Sequence, residues 1–128
     1  MIYLDTCVAL AELFSEARRP PTGMWRERIV SSRLLEYECW NRIHSRGMAD
    51  QLSERVRGLL MRTLLVDLTP EILARALDPL PTAPRTLDAL HLSTMLFLRA
   101  QGHQVELATY DERFAAAARA LDFTVTAL

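Results

Sequence analysis

MIYLDTCVALAELF, residues 1–14, passes from an apolar run to an acid and straight into a second apolar run. Ile2 to Asp5 reads as a short strand ending in a carboxylate. Val8 to Phe14 reads as a helix, and Arg18-Arg19-Pro20-Pro21 breaks it. A strand that leads at once into a helix opens a β-α-β unit, and the rest of the chain repeats the alternation. Ile29-Val30 is a second strand. Ser31-Ser32 can cap the helix that follows, from about Arg33 to Arg46, with Gly47 as its stop.

Ala49 to Arg62 reads as another helix, with Leu52, Val56, Leu59, Leu60 and Thr63 on one face. Leu64 to Leu68 is a third strand. Thr69-Pro70-Glu71 starts a helix: a capping hydroxyl, then proline at the first helical position. Asp78 to Arg85 holds three prolines and reads as a loop. Thr86 can cap a helix over Leu87 to Ala100 that ends at Gly102. Val105 to Thr109 is a fourth strand, Glu112 to Leu121 a helix, and Phe123 to Val125 a possible fifth strand. Strands alternating with helices predict a parallel sheet of four to five short strands covered on both faces, a three-layer α/β/α sandwich.

The chain has 128 residues, the size of one ordinary domain, so residues 1–128 are expected to form a single unit. No apolar run approaches the ~18 residues of a membrane span. The N-terminus lacks a basic n-region and a cleavage site, which places the protein in the cytoplasm as an expectation. Cys7 and Cys39 lack CxxC spacing and read as small buried hydrophobes. The net charge of −1 gives no broad basic field for nucleic acid. All 15 cationic side chains are Arg. Without any Lys, a P-loop, a Schiff base and a catalytic lysine are excluded.

Four carboxylates stand beside apolar runs: Asp5, Glu38 in SSRLLEYECW, Asp88 in PRTLDALHLS and Asp111 in ELATYDERF. Asp5 and Asp111 follow strands, on the edge of a parallel sheet where ligands bind. Glu38 has largely apolar neighbours, so its charge needs a partner or a metal; Arg42, one turn on, is one candidate. Asp88 lies in the first turn of an apolar helix, where the dipole favours an anion. Asp111 can also serve as a helix cap, and Asp5-Thr6 can make a turn. If the fold gathers all four, the pocket is strongly anionic and suits Mg²⁺, which takes few protein carboxylates and keeps waters for substrate phosphates. Such ions support phosphodiester hydrolysis by charge stabilisation and activation of water.

Other side chains carry two readings. His91, one turn beyond Asp88, can reach the site or pack as a hydrogen-bonded core histidine. Arg85 and Arg113 can contact a phosphate or form surface ion pairs. Met24-Trp25 can join the core or a partner surface. The helix beginning at Ala49 has apolar residues enough for both a core and an interface. With no His cluster, a zinc site is not expected.

IYLDTCVAL, SSRLLEYE, RTLDALHLST and ATYDERFAAAARALDF, in this order and spacing, resemble PIN-domain ribonucleases, and among them the VapC-type toxins of bacterial toxin–antitoxin pairs. The likeness spans the whole chain. It implies Asp5 and Asp88 as principal Mg²⁺ ligands, with Mn²⁺ a substitute, and Glu38 and Asp111 completing the cluster directly or through water. The family's supporting hydroxyls fall on Thr6 and Thr109, and the offset from Ser31-Ser32 selects Glu38 over Glu36. The implied activity is Mg²⁺-dependent endoribonuclease cleavage leaving a 5′-phosphate and a 3′-hydroxyl. The implied partners are RNA, a VapB-like antitoxin and a second copy of the chain in a homodimer. Two departures stand out: Cys7 occupies a position where a small polar residue is frequent, and the stretch from Phe14 to Ile29 is short and proline-bearing.

Two rival classes remain. Aspartyl-phosphate proteins also place Asp after the first strand, but they need a Lys that is missing, and the phosphatases among them need a second Asp where Cys7 stands. A catalytically inactive PIN-like binding module is the other; retention of all four acids argues against it.

Overall fold

A computed structural model describes all residues, Met1–Leu128. Five strands form one parallel sheet: β1 (Ile2–Leu4), β2 (Ile29–Ser32), β3 (Thr63–Val66), β4 (Glu106–Ala108) and β5 (Thr124–Val125). Six α-helices accompany them: α1 (Thr6–Leu13), α2 (Leu34–Ser45), α3 (Ala49–Met61), α4 (Pro70–Ala76), α5 (Thr86–Ala100) and α6 (Glu112–Ala120). The strand order is β3-β2-β1-β4-β5, with every pairing parallel.

The alternation of β1 divides the core. Ile2 and Leu4 face α1, α2 and α3, where Val8, Leu13, Leu35, Ile43, Val56 and Leu59 pack together. Tyr3 points to the opposite face and meets Leu92, Met95 and Leu98 of α5 and Phe114 and Ala118 of α6. Burial on both faces explains why β1 is apolar at every position. The result is the three-layer α/β/α sandwich.

From β1 the chain moves to β2 on one side, whereas β4 lies on the other. That reversal opens a crevice beyond the carboxyl ends of β1 and β4, the place where such sheets bind ligands. The backbone N–H of Asp5 closes the junction by donating to Ala108 O at 3.0 Å.

Several local expectations change. Helix α1 begins at Thr6, so Asp5 is the residue just before it. Ser31 and Ser32 belong to β2 and are fully buried. Ser31 donates to Leu4 O at 2.8 Å, but Ser32 Oγ still accepts the N–H of Leu34, the first residue of α2, at 3.1 Å, as a residue at the helix start was expected to do. Thr86 is the first helical residue of α5 and makes no capping bond; Arg85 precedes the helix. Thr69 does cap α4, accepting from Ile72 N–H at 3.3 Å. Between α1 and β2 the only helical piece is a 3-10 turn, Thr22–Arg26, which buries Met24 in the core.

Candidate active site

Asp5, Glu38, Asp88 and Asp111 all line one cleft of about 490 Å³, together with Thr6, Cys7, Leu10, Arg42, Arg85, Thr86 and Leu87. Asp5 ends β1, Asp111 lies just past β4, Glu38 is one turn into α2, and Asp88 is in the first turn of α5. Four separate elements therefore deliver their acids to the crevice at the reversal of strand order.

Asp5 is the most buried of them, at 8% exposure. Its Oδ2 accepts from Thr109 Oγ1 at 2.5 Å and from Cys7 Sγ at 2.9 Å. Thr109 Oγ1 in turn accepts from Asp111 N–H at 2.9 Å, so one hydroxyl ties the first acid to the fourth. Cys7 supplies the donor that a small polar residue would give at that position. Burial, then the charge of Asp5, pushes its thiol up to about 12, so it stays protonated and able to donate.

Asp111 divides its two oxygens. Oδ1 caps α6, accepting from Arg113 N–H at 2.9 Å and Phe114 N–H at 3.2 Å. Oδ2 receives Arg85 Nη2 at 3.2 Å. Cap and cleft residue are thus both correct descriptions. Arg85 also approaches Asp88 at 3.7 Å, so its guanidinium spans two of the acids. Arg113 lies nearby, in a smaller cleft with Arg85 and Asp88.

Burial raises the Asp88 carboxyl above its ordinary value, and the charges of Asp111 and Asp5 push it further; Arg85 and His91 oppose them. Asp111 and Asp5 therefore both repel the Asp88 carboxylate across the cleft. A positive charge placed among them relieves that repulsion, and Arg85, exposed on its outer side, does so only in part.

Glu38 is held from two sides. Its Oε1 accepts from Thr6 Oγ1 at 3.0 Å and meets His91 Nε2 at 2.7 Å. Glu36 instead faces the surface and pairs with Arg33 at 3.0 Å. The expected pairing of Glu38 with Arg42 does not form. Arg42 lines the cleft and pairs with no carboxylate. It is a cleft cation that reading the sequence assigned to another task. Its position one turn after Glu38 was the available signal.

No three of the acidic, His or Cys side chains close on one point as a finished metal cage. The donor set is nevertheless all hard oxygen, spread around an open cleft. That suits a small divalent ion that keeps several waters and takes only one or two carboxylates from the protein. It does not suit a structural zinc, which takes nitrogen or sulfur donors in a closed tetrahedron.

The PIN domain family model matches residues 2–120 of the sequence. The chain belongs to the PIN-domain family. PIN domains are generally nucleases, so hydrolysis of phosphodiesters is the activity that membership indicates. Among solved structures, a chain of a toxin-antitoxin complex from Klebsiella pneumoniae is similar with a TM-score of 0.67, over 98% of this chain and 97% of that one. At 21% identity the likeness is one of fold. No significant match was found among curated proteins.

Proposed function

We propose that this PIN domain is a Mg²⁺-dependent endoribonuclease and the toxin of a type II, VapBC-like toxin–antitoxin pair. The observation that carries the reading is the convergence of Asp5, Glu38, Asp88 and Asp111 on one cleft at the strand-order reversal. A divalent cation bound there would stabilise charge on the scissile phosphate and make water a better nucleophile.

The chain's own residues prepare the cleft. Thr109 and Cys7 fix Asp5 by giving both their protons to Oδ2, so the carboxylate cannot swing away. Asp88, opposite, has its charge raised in energy by its neighbours, and a bound cation would reverse that cost. Asp5 and Asp88 are the principal ligands in this reading. Glu38 and Asp111 add their oxygens directly or through water. Arg42 is free to hold a backbone phosphate of the RNA, and Arg85 and Arg113 stand at the same entrance.

The toxin role takes support from the Klebsiella pneumoniae neighbour, which is part of a toxin-antitoxin complex. Leu73 on α4, Leu77 just past its end and Leu87 on α5 are exposed apolar side chains that an antitoxin or a second copy in a homodimer would cover. No helix is long and apolar enough to cross a membrane.

Purified protein, freed of antitoxin, is incubated with total RNA in Mg²⁺, in Mn²⁺ and in EDTA, beside Asp5→Asn. Cleavage in either ion that leaves 5′-phosphates, and its loss in EDTA and in Asp5→Asn, is expected. RNA bound but never cut in any metal would instead indicate a binding module.

A further inference from the structure

Behind Glu38 lies a buried polar chain that the proposed chemistry does not itself use. His91 is 1% exposed, on the face of α5 turned to the sheet. One ring nitrogen, Nε2, meets Glu38 Oε1 at 2.7 Å; the other, Nδ1, meets Tyr3 Oη at 2.8 Å. Tyr3, in the central strand, is fully buried, and its oxygen accepts the backbone N–H of Ser32 at 3.1 Å. The neighbouring hydroxyls of Ser31 and Thr94 give their protons to Leu4 O and Leu90 O.

The proton inventory orders this chain. An ionised carboxylate only accepts, so Nε2 must carry the proton in a bond to Glu38. A neutral imidazole then leaves Nδ1 as an acceptor. Tyr3 is fully buried, and its phenolic proton is the one available to the Nδ1 it faces. The Ser32 N–H occupies one lone pair of that oxygen and leaves the phenolic proton free to go to Nδ1.

We propose that Tyr3 and His91 are positioning residues for Glu38: Tyr3 O–H donates to Nδ1, Nε2–H donates to Oε1, and Glu38 is thereby locked with Oε2 as the oxygen left for the cleft. The phenol fixes the imidazole tautomer, and the imidazole fixes the carboxylate. Thr6 gives Oε1 its second donor, so that oxygen is fully engaged by protein. The same device, a partner on the far nitrogen setting the direction of the near one, orients groups around metal sites, where its loss typically costs 10–100-fold in metal affinity or activity. The inference rests on the metal-site reading for its consequence. The chain of hydrogen bonds stands apart from it.

The test has two arms on the full chain without metal. Long-range ¹H–¹⁵N NMR of the imidazole is expected to show protonated Nε2 and bare Nδ1 in wild type, and a mixture of tautomers in Tyr3→Phe. Protonated Nδ1 in wild type would overturn the relay, whatever the metal does. The second arm titrates Mn²⁺ calorimetrically into wild type, His91→Leu and His91→Gln, with circular dichroism confirming the fold. Gln places an amide N–H near the Nε2 position and retains the bond to Glu38. His91→Leu is expected to bind Mn²⁺ about tenfold more weakly, and His91→Gln to recover most of the loss. Wild-type affinity in a folded His91→Leu would overturn the positioning role. A wild type that takes no Mn²⁺ would sink the metal-site reading and with it that role, leaving NMR to judge the hydrogen bonds alone.

Discussion

Two tyrosine-to-phenylalanine substitutions make the same chemical change and should have very unequal consequences. Tyr3→Phe removes a hydroxyl that serves two buried partners, Ser32 N–H and His91 Nδ1. Both residues are almost wholly shielded from water, so neither group finds a replacement. Each orphaned buried group costs about 1–3 kcal/mol, which puts the combined loss near ~3 kcal/mol. With an unfolding entropy of about 2.1 cal/mol/K per residue, a chain of this length loses about 3–4 °C per kcal/mol, so a drop of roughly 10 °C is expected. Tyr110→Phe removes a hydroxyl whose oxygen is buried with no partner. Its ring lies under the Arg18 guanidinium at 4.3 Å, a contact that phenylalanine keeps. That variant should melt within about 1 °C of wild type, or slightly above it, since nothing is orphaned. Differential scanning calorimetry of metal-free protein reads both. A Tyr3→Phe melting point within about 2 °C of wild type, or equal falls in the two variants, would refute the hydrogen-bond reasoning.

Two further outcomes follow from the cleft. Arg42→Ala should weaken RNA binding and flatten the dependence of log K on log salt by about 0.7, the share of one contact to a single strand; an unchanged slope in filter binding would remove Arg42 from the interface. Asp88 has a folded-state value raised above 3.8. Its contribution to stability is therefore complete below that unfolded value and lost as pH rises through the folded one. Metal-free wild type should thus lose stability over this window relative to Asp88→Asn, and Mg²⁺ should restore wild type alone. Parallel melting curves for the two proteins, from acid to neutral pH, would show Asp88 to be relaxed.

The sandwich was legible because its signals are local. Alternating strands and helices specify a covered parallel sheet, and the acids stand at strand ends and helix starts where short-range reading finds them. Strand order was not legible, since alternation is compatible with several orders; the pairing of β1 with both β2 and β4 emerges only from packing. Of the two serines that looked like caps, Ser31 turns its hydroxyl to Leu4 O in β1, whereas Ser32, though it ends β2, does accept the N–H of Leu34 at the start of α2. Arg42 looked like the partner of Glu38 on helical spacing. Thr6 and His91 reach Oε1 from other elements and take its place. His91 shows the limit most clearly: packed histidine and site neighbour seemed alternatives, and it is both. Its partners lie 88 and 53 residues away in sequence, beyond any local pattern.

Whether the four acids form one divalent-cation site is visible in crystals grown with Mn²⁺ and measured for its anomalous scattering. A peak is expected in the cleft, within bonding distance of Asp5 and Asp88, that vanishes in crystals of Asp5→Asn. A cleft with no peak at Mn²⁺ concentrations that support RNA cleavage, or a peak remote from these carboxylates, would contradict it.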